Sequence, residues 1–287
     1  MTPRQLIREA GDLVSLPKVC VRINQLVDDP TSSAQEIGQV ISQDTALTAR
    51  LLKIVNSAFY GFPGRIDTIA RAITIIGTKE LRDLALMTAA CGMFTGIPPN
   101  LINMERFWHS SLACGVLARR LSKSCQVLHP DRLFVMGVLH DIGRLVMFQQ
   151  RPIESRDILL ISKGRDDLIV AAEREVLGFT HGEVGFELAS DWQLPSPISS
   201  AIRWHHLPEQ ATADPMECYL VYIANILADS LVWESDLKVE LDRVLPSSWQ
   251  ITGLTPMQCE MAVSEIGSEI RELYSILMGH AQTASAG

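Results

Sequence analysis

The chain has 287 residues, 47% of them hydrophobic and 20% charged, with 25 Lys+Arg against 33 Asp+Glu for a formal net charge of -8. That composition excludes a disordered chain, and the length leaves two packed lobes or one large helical domain. The negative balance gives no bulk attraction to a phosphate backbone or an anionic membrane. The opening MTPRQLIREAGDLVSLP has no uninterrupted apolar run and no stretch of 18 apolar residues follows, so the expectation is a soluble cytoplasmic protein. Cys20, Cys91, Cys114, Cys125, Cys218 and Cys259 form no Cys-x-x-Cys pair and read as reduced core residues.

Helical signals are dense and strand signals almost absent, so an all-α fold is expected. Ser33 with Glu36 makes a capping box ahead of Ile37, Val40 and Ile41. Asp44 caps a helix carrying Leu47, Leu51 and Val55, which should stop near Asn56. After the turn-rich Tyr60 to Gly64, Ile69, Ala72, Ile73 and Ile76 form a stripe closed by Gly77 as a left-handed cap. Thr78 opens the next helix, with Leu81, Leu84 and Ala85 inward. Pro98 and Pro99 make the clearest interior break, dividing an N-terminal helical lobe (1–97) from a C-terminal helical domain (98–287). The lobe's apolar stripes exceed what its short helices can bury alone, so it should pack on the C-terminal domain.

Phe107 to Leu121 is apolar nearly all round, as in a buried helix, and Arg132 to Gln149 repeats that character as one helix. Thr180 with Glu183 makes a second capping box, and Ser196-Pro197 reads as a cap followed by proline at the first helical position. Thr255-Pro256 with Gln258 opens a last helix carrying Ala262, Ile266, Ile270, Leu273 and Leu277, and the tail AQTASAG should fray. His129 and His280 read as surface residues, and Asp191 and Asp229 as solvated helix-end acids.

Six of the seven histidines fall within residues 109 to 206, and five of these, His109, His140, His181, His205 and His206, lie on or at the ends of predicted helices with acids beside several of them. His140-Asp141 sits mid-helix in GVLHDIGR, where neighbours point about 100° apart and could address two metals. Gly137 and Gly143 flank the pair and leave room for a helix or a substrate, while Arg144 suits a phosphate oxygen. Glu105 precedes His109 by one turn on the same face. His181 opens its helix, and the consecutive His205 and His206 close theirs. A lone buried histidine is usually a hydrogen-bonded core residue; the grouping with Asp141 and Glu105 instead suggests a metal site.

Two segments resemble known families. Residues 16 to 91, with ISQDTALTARLLKIVNSAFYG and IDTIARAITIIGTKELRDLAL, are similar to the N-terminal half of the HDOD domain, a bacterial signal-transduction output module. Residues 105 to 229 resemble an HD domain of the HD-GYP type, whose members hydrolyse cyclic dimeric GMP with metals, often iron. The resemblance implies metal ligands at Glu105, His109, His140, Asp141, His181, His205 and His206, with Arg144 standing where that family has lysine. The final aspartate falls on Asn225, and the Gly-Tyr-Pro loop is absent because His206 runs into Leu207-Pro208-Glu209. A neutral amide at 225 should weaken one cation position, so Asn225→Asp is expected to raise metal content.

Three functions are then in competition. A regulatory module that retains the HD metal pattern without catalysis would bind signalling proteins or a nucleotide, its signal arriving in trans. A metal-dependent phosphohydrolase acting on a cyclic di- or other nucleotide would use Asp141 and Arg144 in catalysis, with a divalent Fe, Mn, Ni or Zn. DNA binding would use the helix-turn-helix-like segment around Gly77, but its second helix balances Lys79 and Arg82 with Glu80 and Asp83 and then becomes apolar, which disfavours nucleic acid.

Overall fold

The structure, a computed structural model, describes residues 1–94, 96–125, 127–232 and 234–279. His280 and the tail lie outside the described residues. Among the described residues every regular element is a helix, and no helix is long and apolar enough to cross a membrane.

Local chemistry explains most of the helix starts. α1 (Pro3–Ala10) opens on a Thr2–Gln5 capping box, α2 (Lys18–Asp28) follows Pro17, and α3 (Ala34–Ser42) opens on the Ser33–Glu36 box. α4 (Thr45–Val55) is capped by Asp44, which accepts from Leu47 N at 2.9 Å, and stops at Asn56. The Asn56 side chain clamps the loop behind it, accepting from Ile66 N at 2.7 Å and donating to Ile66 O at 2.6 Å. α5 (Ile69–Ile76) and α6 (Thr78–Cys91) meet at Gly77, whose φ of 94° requires glycine, although its ψ of 159° makes the joint extended, not a left-handed helical turn.

The remaining helices are α7 (Met104–Ser124), α8 (Pro130–Leu139), α9 (Ile142–Gln150), α10 (Pro152–Ser162), α11 (Asp166–Val176), α12 (His181–Asp191), α13 (Ser196–Trp204), α14 (Pro215–Val232), α15 (Leu237–Asp242), α16 (Pro246–Thr252), α17 (Pro256–Ser264) and α18 (Gly267–Met278). Three expectations need correction. The segment 132–149 is two helices, broken at His140–Asp141: Gly137 O, which an unbroken helix would offer to the Asp141 N–H, instead lies 2.6 Å from His140 Nδ1. α13 begins at Ser196 itself, with Pro195 in the capping position. The last helix is divided at Glu265–Ile266, so Ala262 belongs to α17 and Ile270, Leu273 and Leu277 to α18.

Contacts group the chain into two units, one of Met1–Val14 with Phe94–Glu265, the other of Ser15–Met93 with α18. This differs from a single cut at residue 98. α1 packs on α12 and α9, and Trp192 Nε1 donates to Val14 O at 2.7 Å. α18 packs on α4 and α6, and Glu272 accepts from Ala58 N at 3.0 Å. Within that unit α6 buries Leu81 to Thr88, including the Arg82–Asp83 ion pair at 2.9 Å. Cys20, Cys91, Cys114, Cys218 and Cys259 are buried free thiols in their own units and Cys125 is a half-buried one.

The larger unit is built on α7, which packs against α8 and α14. At the α7–α8 crossing the backbones touch: a Cβ on Gly137 would lie 2.5 Å from Gly115 Cα. Backbone atoms cannot swing aside, so Gly137→Ala should lower unfolding stability by about 1–3 kcal/mol or more. In α18 a Cβ on Gly267 would meet only the far end of Arg271 at 3.5 Å, so Gly267→Ala should be neutral or raise stability by about 0.5–1 kcal/mol. Denaturant midpoints of the two variants check this.

Candidate metal centre

Three helix ends converge because glycine lets their backbones meet. A Cβ on Gly143 of α9 would lie 2.1 Å from His181 O and 2.6 Å from Gly185 N, and one on Gly182 of α12 would lie 2.7 Å from Arg203 O in α13. The contact sets Asp141, just before α9, beside His181, the first residue of α12, and His205, just after α13. Gly137 and Gly143 thus leave room for helices, α7 and α12 respectively.

Ligand atoms of Asp141, His181, His205 and His206 all lie within 4.8 Å of one another. Asp141 Oδ1 is 3.1 Å from His181 Nε2 and 3.5 Å from His205 Nε2, and those two nitrogens are 3.0 Å apart. His140 borders the cluster, its ring centroid 4.9 Å from that of His205 and its Nε2 3.8 Å from Asp141 Oδ2.

The outer nitrogens determine what the inner ones can do. His140 Nδ1 faces Gly137 O at 2.6 Å, His205 Nδ1 faces Ile202 O at 2.7 Å, and His181 Nδ1 faces both Glu173 carboxylate oxygens at 2.8 Å. A carbonyl only accepts, so the proton of each such ring sits on Nδ1 and the Nε2 lone pair points inward. Among the described residues His140 Nε2, His206 Nε2 and Asp141 Oδ1 are buried without a hydrogen-bond partner. Two imidazole lone pairs 3.0 Å apart, facing a carboxylate, repel unless a positive charge lies between them. The residues fit a metal cation, and the outer acceptors are the partners that orient histidine ligands.

The electrostatics agree. Burial, and then the neighbouring imidazole, His206 for one and His181 for the other, hold His205 and His206 well below the ordinary histidine value. His181 goes the other way: burial opposes its charge, but Glu173 and Asp141 outweigh burial and push it up to about 10. Burial would raise the Asp141 carboxyl, yet Arg144, 2.9 Å from Oδ2, and then His140 hold it well below the usual carboxylate range. Without a metal, the cluster therefore takes up its positive charge as a proton on His181.

Asp141 also borders a cavity of about 330 Å³. Arg144, Asp166, Asn225 and Asp229 line its polar side, and Phe107 and Phe148 part of its apolar side. Asp229 is therefore no solvated helix-end acid: it lies inside α14, and burial, followed by Asp166 and Asp141, pushes its carboxyl up to about 8. Asp191 does end its helix exposed, and His129 is exposed at the start of α8.

Of the sequence candidates, Glu105 and His109 are not among the clustered residues. Both are on α7, with Glu105 exposed and His109 half-buried, whereas the cavity is reached from that helix by Asn103, Arg106, Phe107 and Ser110. At 100° per residue Glu105 and His109 face roughly 130° away from that side. Asn225 gives its amide to Asp166 Oδ2 at 3.0 Å. Sequence reading overlooked Asp166 and Glu173, seven residues apart on one face of α11. The available signal was a carboxylate within the apolar stripe of Ile169 and Ala172.

The HDOD domain family model matches residues 13–208. A solved HDOD domain protein of unknown function from Geobacter sulfurreducens superposes with a TM-score of 0.71 at 25% identity, covering 96% of this chain and 95% of its own. Two proteins of Shewanella amazonensis SB2B share the fold. One, described as a candidate phosphohydrolase, gives a TM-score of 0.75 at 21% identity over 95% of this chain and 97% of its own. The other, described as a candidate metal-dependent phosphohydrolase, gives 0.61 at 19% over 95% and 100%. An uncharacterized protein of Treponema pallidum (strain Nichols) is 28% identical over 197 residues, 68% of this chain, which spans 38% of that relative's length.

The histidines set a pH dependence for the metal-free protein. The folded value of His181 is raised, so its stabilisation is complete below the ordinary value of 6.5 and is lost as pH rises towards about 10. His205 and His206 are depressed, so their share is present above 6.5 and lost as pH falls. Their combined contribution should peak near pH 6.5 in chelator. Saturating metal should remove the alkaline fall, because the cation takes the place of the His181 proton. Denaturant unfolding across the pH range, with and without metal, tests both expectations.

Proposed function

The chain belongs to the HDOD domain family, whose model covers residues 13–208, and on that footing we propose that it is a regulatory module built round one transition-metal centre. The observation that carries this reading is the inward Nε2 atoms of His181 and His205, 3.0 Å apart, and the buried Nε2 of His206 grouped with Asp141. Three imidazoles and a carboxylate suit a divalent Fe, Mn, Ni or Zn. When bound, such an ion supplies a Lewis acid at the edge of the cavity. The module binds its ligand there, a nucleotide or a segment of a signalling protein, and works in the cytoplasm in signal transduction.

Binding is favoured over turnover because the set is short of the acids that a two-metal hydrolase uses. Glu105 and His109 are not among the clustered residues, and the Asn225 amide is engaged by Asp166. Arg144, the residue that would steady charge on a phosphoryl group, is held by Asp141 at 2.9 Å and faces Asp166 at 3.6 Å. The second reading, a metal-dependent phosphohydrolase acting on a cyclic di- or other nucleotide, is favoured by one observation: Asp141 and Arg144 line the same cavity. In that reading Arg144 binds and orients the phosphate while Asp141 helps to hold the cation.

Protein purified without chelator should carry about one transition-metal equivalent per chain, lost in His181→Ala. It should show no hydrolysis of cyclic dimeric GMP above background with added Mn²⁺ or Fe²⁺. Elemental analysis and a turnover assay on the same preparation decide: robust turnover selects the phosphohydrolase, and absence of any metal affinity removes the centre.

A further inference from the structure

The rings of the cluster are not equally supported from outside. His140, His181 and His205 each have an oxygen 2.6 to 2.8 Å from Nδ1. His206 has instead the Asp166 carboxylate, with Oδ2 3.6 Å from its Nδ1. That same oxygen accepts from Asn225 Nδ2 at 3.0 Å, and the other, Oδ1, is 3.6 Å from Arg144 Nη1. Arg144 Nη1 in turn lies 2.9 Å from Asp141 Oδ2. A chain of contacts therefore runs from one clustered residue, Asp141, through Arg144 and Asp166 to another, His206, and Asn225 anchors its midpoint.

We infer that Asp166 is the positioning residue for His206 and that Asn225 holds Asp166 in that role instead of serving as a metal ligand. The inference rests on the metal centre proposed above. Its physical content lies in the donor at position 225. Asn225 must donate, because the atom it faces is a carboxylate oxygen. An aspartate would set a second carboxylate against Asp166, with Asp229 one turn further along α14 on the same cavity wall. Repulsion would then drive Asp166 away from His206 Nδ1 and free the ring to turn. The amide is thus the partner that a carboxylate supplied from α11 demands, and the expectation that Asn225→Asp improves metal binding is reversed.

The test is a Co²⁺ titration of the full chain followed by the ion's visible absorption, with circular dichroism to verify folding. Asp166→Ala should weaken Co²⁺ binding by about 10–100-fold, the effect usual for losing an outer partner of a ligand. Asn225→Asp should also weaken it, with no second equivalent bound. Asp167→Asn, at the neighbouring acid that pairs outward with Arg165 at 2.6 Å, should leave it unchanged. Wild-type binding lost in His181→Ala but unaltered in Asp166→Ala and Asn225→Asp would overturn this inference and leave the metal centre standing. A second cobalt equivalent in Asn225→Asp would overturn it by making position 225 a ligand site. No Co²⁺ binding by the wild type would overturn both.

Discussion

At Gly143 and Gly182 the backbones of α9, α12 and α13 approach more closely than a Cβ on either would permit. The ligand cluster depends on that contact. Asp141, His181, His205 and His206 sit at helix ends or the turns beside them, and only end-to-end convergence of helices brings four such residues within 4.8 Å. Helices separated by ordinary side chains pack 8–10 Å apart, roughly the span that an imidazole on each would have to bridge. Glycine removes that spacing, and the interruption at His140–Asp141 turns the Asp141 carboxylate into the space so made.

Once the ends are together, charge decides the rest. Glu173 and Asp141 lie against His181 inside the protein, and Arg144 and Asp166 continue the alternation of sign outward. Burial of so many ionisable groups is tolerable only if each charge has a partner and each orphaned lone pair a cation. Asp229 shows the cost of lacking one: its carboxyl is pushed up to about 8 by burial and by the carboxylates it faces. The polar network is thus closed on the Glu173 side and open on the cavity side, where a ligand would enter.

Much of this was legible in the sequence. Capping boxes at Ser33, Thr180 and Thr255 act as written, since they depend on residues three apart. Of the histidines singled out from the sequence, His181, His205 and His206 cluster with Asp141 and His140 borders them. The break at His140–Asp141 was not legible, because an apolar run continuous from Arg132 to Gln149 hides a carbonyl diverted to a side chain. Nor were Asp166, which pairs with Asn225 59 residues on, and Glu173, which meets His181 across the turn between α11 and α12, because a helix pattern records only which face is buried. Glu105 and His109 are not among the clustered residues, and one-turn spacing places two residues on one face without saying which way that face looks.

The clustered residues come from positions 141, 181 and 205–206, on separate helix ends that must fold together before they meet. A cation bound to them is therefore a cross-link as well as a ligand, closing long loops that are open in the unfolded chain. Because the unfolded chain offers no such site, each tenfold rise in free metal above the dissociation constant would add roughly 1.4 kcal/mol to the stability of the folded unit. Metal supply would set how much of the unit is folded at any moment, and a partner that recognises only the folded form would report that supply without touching the ion.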